Sequence, residues 1–170
     1  MKHKTDSNTI KIKMFGSFAQ FFASGFGSGC APKAPGTFGT LMAVPIWFVM
    51  VYYLHLAGWP YLLMVLITFI FGVWVCDVAS KELGVHDHGG IVWDEFVGFF
   101  ITMIGVTVSW QNILLGFVLF RIFDIIKPFP IKWLDQKVAG GFGVMIDDVL
   151  AGIFALISLH LINYCIAVWV

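Results

Sequence analysis

A chain of 170 residues has the length of a single domain. It is 59% hydrophobic and 12% charged with zero formal net charge, and its mean hydropathy is +0.91, whereas soluble domains run to roughly 45–50% apolar and about 25% charged. That excludes an ordinary soluble globule, leaves no global field for nucleic acid, and marks an integral membrane protein.

Residues 1–13 form a polar tail whose Lys2, Lys4, Lys11 and Lys13 suit an anionic cytoplasmic leaflet. Residues 14–170 read as one membrane-embedded domain. Phe15, Phe18 and Phe22 share one helical stripe in residues 14–24. That stretch is too short to cross a bilayer, which takes about 20 residues. A short helix is expected there, flat on the membrane or packed on the bundle. No cleaved signal peptide is expected, because Gly25, Gly27 and Gly29 break the first apolar stretch and Pro32 and Pro35 follow.

Residues 25–40 read as a Gly- and Pro-rich loop. Spans are predicted over 41–56 and 61–79, joined by the turn at Gly58, Trp59 and Pro60. A polar loop, 80–90, carries Lys81, Glu82, His86, Asp87 and His88. A third span, 91–108, holds Asp94 and Glu95 in its first turns, and the uncharged linker 109–112 follows it. The fourth span, 113–126, ends among Arg121, Asp124 and Lys127. A second polar loop, 127–146, is broken by Pro128, Pro130, Gly140, Gly141 and Gly143, and 147–168 is the fifth span. The predicted fold is all-α: a multihelical membrane bundle of about five transmembrane helices plus a short N-terminal interfacial helix.

The runs 34–76, 96–120 and 149–170 contain no Asp, Glu, Lys or Arg. Basic residues are confined to the N-terminus and to the 25–40, 80–90 and 127–146 segments, apart from Arg121 at the end of the fourth span. By the positive-inside rule these face the cytoplasm, with the C-terminus outside. All ten acids then gather at the cytoplasmic edge.

Charges at membrane borders are costly and usually functional. Asp94, Glu95, Asp124, Asp147 and Asp148 are candidate metal ligands, because Mg²⁺ takes hard oxygen donors from a few carboxylates and from substrate phosphate. Acids in a first helical turn also complement the helix dipole, so one pair alone marks only a helix start. Arg121, Asp124 and Lys127 recur on one broad face. They read either as an internal ion pair with a snorkelling lysine or as a phosphate-binding Arg and Lys beside a metal-binding acid. Lys33 and the 25–40 amides could meet a phosphate, although the GxxxxGK[ST] pattern is missing. Gly140 to Gly143 could form an anion-binding helix start, but a turn is the simpler reading. His86, Asp87 and His88 could supply a base or ligand, or could be a solvated loop. Cys30, Cys76 and Cys165 are far apart and form neither a disulfide framework nor a zinc motif.

Four stretches resemble the phosphatidylglycerophosphatase A family. They are Gly27-Ser28-Gly29 with Ala34-Pro35-Gly36-Thr37-Phe38-Gly39-Thr40; residues 84–95, from Gly84 through His88 to Asp94-Glu95; Phe120-Arg121 with Asp124 and Lys127-Pro128-Phe129-Pro130; and Gly140-Gly141 with Gly143 and Met145-Ile146-Asp147-Asp148. The resemblance implies a multi-pass enzyme of the bacterial inner membrane, with its site facing the cytoplasm. It implies Mg²⁺-dependent hydrolysis of phosphatidylglycerol phosphate to phosphatidylglycerol and phosphate in phospholipid synthesis. Asp94, Glu95, Asp147, Asp148 and Asp87 would then be catalytic, and Arg121, Lys127, Lys33, Thr37 and His88 would bind the substrate phosphate. The metal would sit on Asp94, Glu95, Asp124, Asp147 and Asp148.

Three rival classes fit less well. A CDP-alcohol phosphotransferase needs an Asp-Gly dipeptide, and the chain has none. A type 2 phosphatidic acid phosphatase needs a Ser-Gly-His segment, also missing. The non-enzymatic alternative is an ion or proton transporter using intramembrane carboxylates, but such sites lie near the bilayer midplane.

Overall fold

The computed structural model describes residues 12, 13, 15–85 and 88–169, with the side chains of 135 and 136 left undescribed. Among the described residues all regular structure is helical: α1 Phe18–Ala23, α2 Pro35–Phe48, α3 Gly58–Leu83, α4 Trp93–Thr102, α5 Trp110–Ile126, α6 Ile131–Lys137 and α7 Gly140–Trp169.

Helix α1 starts where Ser17 Oγ accepts from Gln20 N. It packs on the bundle through buried Ala19 and Ala23, and Phe22 meets Phe71 and Trp93 edge-on. Phe15 and Phe18 stay exposed. Pro35 occupies the first turn of α2, where its missing N–H costs nothing. The helix therefore begins inside the stretch expected to be a loop, and it closes with a wider turn over Val49–Tyr53. Helix α3 ends on Gly84 in the left-handed region, φ 67°, which absorbs residues 80–83. Helix α6 and the first turns of α7 fill the expected 127–146 loop.

Among the described residues three helical segments are long and apolar enough to cross a membrane: Pro35–Tyr53, Gly58–Leu83 and Gly140–Trp169. Helix α5, with 17 residues, spans about 25 Å and sits at the short end of the crossing range. The expected third span is cut short, because α4 has only 10 residues, about 15 Å or half a hydrocarbon core. Residues 91 and 92 belong to the entry loop, and Gly105 turns the chain at φ 71°. Tyr61 Oη donates to Phe100 O across 2.6 Å at the far end of this half-length helix.

Helix α4 lies at the centre of the bundle, and every residue in it except Asp94 is buried. It runs unusually close to α7: a Cβ added to Gly152 would lie 2.5 Å from Gly98 O. Small residues let transmembrane helices approach in this way. Phe96, Phe99, Phe120, Trp47, Met145 and Leu159 fill the space around the crossing. The outer faces of α3 and α7 expose Leu63, Leu66, Ile67, Leu161 and Ile166. On a soluble protein such a surface would be an association patch; on these helices it faces lipid.

Candidate active site

The ends of four helices meet at one side of the bundle. Val92 N donates to Ala23 O at 2.8 Å and Trp93 Nε1 donates to Thr68 O at 3.1 Å. These bonds fix the start of α4, whose first turn carries Asp94 and Glu95. The last turns of α5 supply Arg121 and Asp124, α7 supplies Asp147 and Asp148, and the first turns of α2 supply Gly36 and Thr40.

Asp94, Glu95 and Asp148 each offer a carboxylate oxygen, and these oxygens lie within 4.8 Å of one another. Glu95 is 8% exposed and Asp148 only 2%. Arg121 stands against them: its NH1 lies 2.8 Å from Asp124 Oδ2 and 3.8 Å from Glu95 Oε1. The same nitrogen donates to Thr40 Oγ1 at 3.4 Å, and Thr40 Oγ1 donates to Gly36 O at 3.0 Å. Gly36 is needed for this closeness, since a Cβ there would collide with Glu95 Oε1. Lys127 closes the site from the end of α5, its Nζ 2.6 Å from Asp147 Oδ2.

The adjacent acids of α7 therefore do different things. Asp148 joins the carboxylate cluster, and Asp147 holds Lys127. Five acidic side chains here face two cationic ones, Arg121 and Lys127. Buried Glu95 Oε2, Asp148 Oδ2 and Arg121 Nε make no hydrogen bond among the described residues. Buried polar atoms are rarely left so. Hard, converging oxygen donors with excess negative charge fit a divalent cation such as Mg²⁺, and an arginine with an unused donor fits a phosphate oxygen.

The other sequence candidates are more dispersed. Thr37 lies half-buried in the first turn of α2, and Lys33 is exposed in the loop before it. His88 Nδ1 accepts from Gly90 N at 3.1 Å, which fixes the ring against its own loop. Asp87 lies outside the described residues. The 25–30 loop spends its amides internally: Gly25 N donates to Phe22 O, Gly27 N to Ser24 O and Gly29 N to Ser24 O. The anion at the start of α7 is the protein's own, since Gly141 N donates to Asp77 Oδ1 at 3.3 Å. Asp77 also pairs with Lys81 at 2.6 Å. Sequence reasoning gives no role to Thr40, Gly36 or Asp77, although Gly36 and Thr40 lie in one of the stretches that carry the family resemblance. Asp77 leaves a physical trace, as an acid four residues before a lysine.

Lipid-facing helices that converge on a buried carboxylate cluster, a guanidinium and an ammonium define a membrane-embedded phosphatase. The family model for phosphatidylglycerophosphatase A matches residues 21–163. The chain belongs to the phosphatidylglycerophosphatase A family and is a lipid phosphatase, a hydrolase. It is 44% identical over 164 residues to phosphatidylglycerophosphatase A of Escherichia coli (strain K12), covering 96% of this chain and 92% of the relative. It is also 44% identical over 162 residues to the Haemophilus influenzae protein of that name, covering 94% of this chain and 98% of the relative. No solved structure matches the chain significantly.

Proposed function

We propose that the protein hydrolyses phosphatidylglycerol phosphate to phosphatidylglycerol and inorganic phosphate, with Mg²⁺ held by Asp94, Glu95 and Asp148. The observation that carries this reading is the convergence of three carboxylates within 4.8 Å beside Arg121, at one end of an apolar bundle. A lipid phosphate keeps its tails in the bilayer and presents its phosphoryl group at the interface, where such a site lies if the basic segments face the cytoplasm. In bacteria that membrane is the inner one.

Phosphoryl transfer is catalysed chiefly by positioning and charge neutralisation. A bound divalent ion supplies Lewis acidity toward the phosphoryl oxygens. Arg121 gives its free Nε–H to a phosphoryl oxygen while Thr40 and Asp124 hold the guanidinium plane. Lys127 adds a point charge from the Asp147 side. A carboxylate of the cluster takes a proton from the attacking water as the water oxygen bonds to phosphorus, the P–O bond to the glycerol oxygen breaks, and that proton passes to the leaving alkoxide to give the alcohol. The half-length α4 delivers Asp94 and Glu95 to this point.

The test is phosphate release by the purified protein from phosphatidylglycerol phosphate and from other lipid phosphates, with and without Mg²⁺. Release that requires the divalent ion and favours phosphatidylglycerol phosphate is expected. Full activity in excess chelator would remove the metal, and preference for another lipid phosphate would change the substrate.

A further inference from the structure

A lipid phosphate that reaches Arg121 stays tied to its acyl chains, and those chains cannot thread through packed helices. An opening must therefore run from the site to the bilayer. The neighbouring seams are packed. The α4–α7 crossing is closed at Gly98 and Gly152, where no Cβ fits. Phe123 of α5 meets Phe154 of α7 edge-on, with ring centroids 5.7 Å apart. Trp93 of α4 meets Phe71 of α3 at 5.4 Å.

The seam between α2 and α5 differs. Helix α2 reaches α5 at Arg121, through Thr40 Oγ1 at 3.4 Å and at Gly36, where a Cβ would lie 3.2 Å from the guanidinium. The Arg121 side chain is only 14% exposed. Successive helical residues turn by about 100°, so Leu114 and Ile125 project within about 20° and 40° of the arginine. Both are open, at 56% and 69% exposure. Val118, about 60° round the same face, is exposed too. Helix α2 thus shields α5 at the charged residue and leaves the same face bare on either side of it. On α2, Val44 and Phe48 follow Thr40 along its own side of the helix and are only partly buried.

The two walls keep step. From Arg121, Val118 and Leu114 lie about 4.5 and 10 Å along α5, and from Thr40, Val44 and Phe48 lie about 6 and 12 Å along α2. The helices run in opposite senses (α5 toward the carboxylates, α2 away from them), so both series descend from the site in the same direction. Their depth approaches the roughly 15 Å of hydrocarbon in one leaflet.

We infer that the α2–α5 seam is the lateral entrance for the lipid substrate. An acyl chain lies between Val44 and Phe48 on one side and Val118 and Leu114 on the other, while the phosphate meets Arg121. This rests on the lipid phosphate substrate proposed above. Exposed Ile157 of α7 also faces lipid, but it projects about 180° from Asp148, away from the site.

For the test, phosphatidylglycerol phosphate bearing a diazirine midway along one acyl chain is photolysed with the full-length protein in bilayer nanodiscs, and the adducts are mapped by mass spectrometry. Adducts are expected within residues 44–48 and 114–118. Excess unlabelled phosphatidylglycerol phosphate should remove them, and a diacylglycerol with the same chains should not. Label spread evenly over lipid-facing residues, Ile157 included, overturns the entrance, as does seam label that diacylglycerol displaces equally well. Phosphate release in the same preparation separates the two ideas: release with label elsewhere leaves the hydrolase standing, and no release removes both. Val118→Trp fills the seam and should raise KM for the long-chain lipid at least about tenfold, the scale of a misfit in an apolar pocket, and by more than it lowers kcat. An unchanged KM overturns the entrance. Should that variant not fold, the labelling of the unaltered protein decides.

Discussion

Lys127 Nζ and Asp147 Oδ2 stand 2.6 Å apart, and this pair ties the left-handed end of α5, where Lys127 has φ 45°, to the third turn of α7. The lysine side chain is 25% exposed and the aspartate 9%. Removing one partner leaves an acid without its main counter-charge. Lys127→Met should therefore lower stability by about 3 kcal/mol, the low end for a broken buried pair because the lysine keeps some water. Lys127→Met combined with Asp147→Leu should recover much of that loss. Thermal unfolding in detergent measures both, and equal losses in the single and double variants would show that the pair is not what matters.

Asp148→Asn and Asp94→Asn each remove a charge from the three-oxygen cluster without changing side-chain volume. Each should lower phosphate release at least about 10²-fold, the scale set by losing one electrostatic element of an active site, while membrane insertion is unchanged. Near-normal rates in either variant would take that residue out of the site.

Gly152→Ala tests the α4–α7 crossing. Its new Cβ would lie 2.5 Å from Gly98 O, a backbone atom that cannot rotate away. The helices must separate, at a cost of about 1–3 kcal/mol for overpacking. Activity should fall with stability, because the same crossing sets the distance from Glu95 to Asp148. Gly36→Ala collides with Glu95 Oε1 instead, so activity should fall further than stability. Comparing phosphate release with the unfolding midpoint separates the two, and a Gly36→Ala protein of normal activity would sink the close-approach argument.

Helix α7 carries Asp147 and Asp148 in its early turns and continues from them to Trp169, far enough to cross the bilayer. A reporter fused to the C-terminus should therefore map to the side of the membrane opposite the carboxylates. Cytoplasmic signal from that reporter would reverse the orientation.

The helical class is legible because long uncharged runs can only be helices in lipid. Boundaries are harder to read. Pro35 and Gly36 look like loop residues, yet proline in a first turn begins α2. The run 96–120 carries no charge and little besides Gly105 to mark where α4 stops. Pro128 and Pro130 hide the short α6. Within the site, the border acids and Arg121 stand out as charges in an apolar chain. The division of labour between Asp147 and Asp148 does not, since neighbours on a helix diverge by about 100° and only the packing of α4 and α5 on α7 decides which one meets which partner. Thr40 enters the sequence reading only as the end of a resembling stretch; nothing in its chemistry marks a role, and its contact with Arg121 arises only when α2 docks there.

The sharing of one Arg121 nitrogen between Asp124, Glu95 and Thr40 fixes the guanidinium on one edge and leaves Nε–H on another. Its long side chain is therefore ordered before any ligand meets it, and the rotamer entropy of that ordering, on the order of 1–2 kcal/mol, is already spent in folding. Under the proposed mechanism the arginine acts as a pre-aimed donor, not as a mobile arm that must search for its anion.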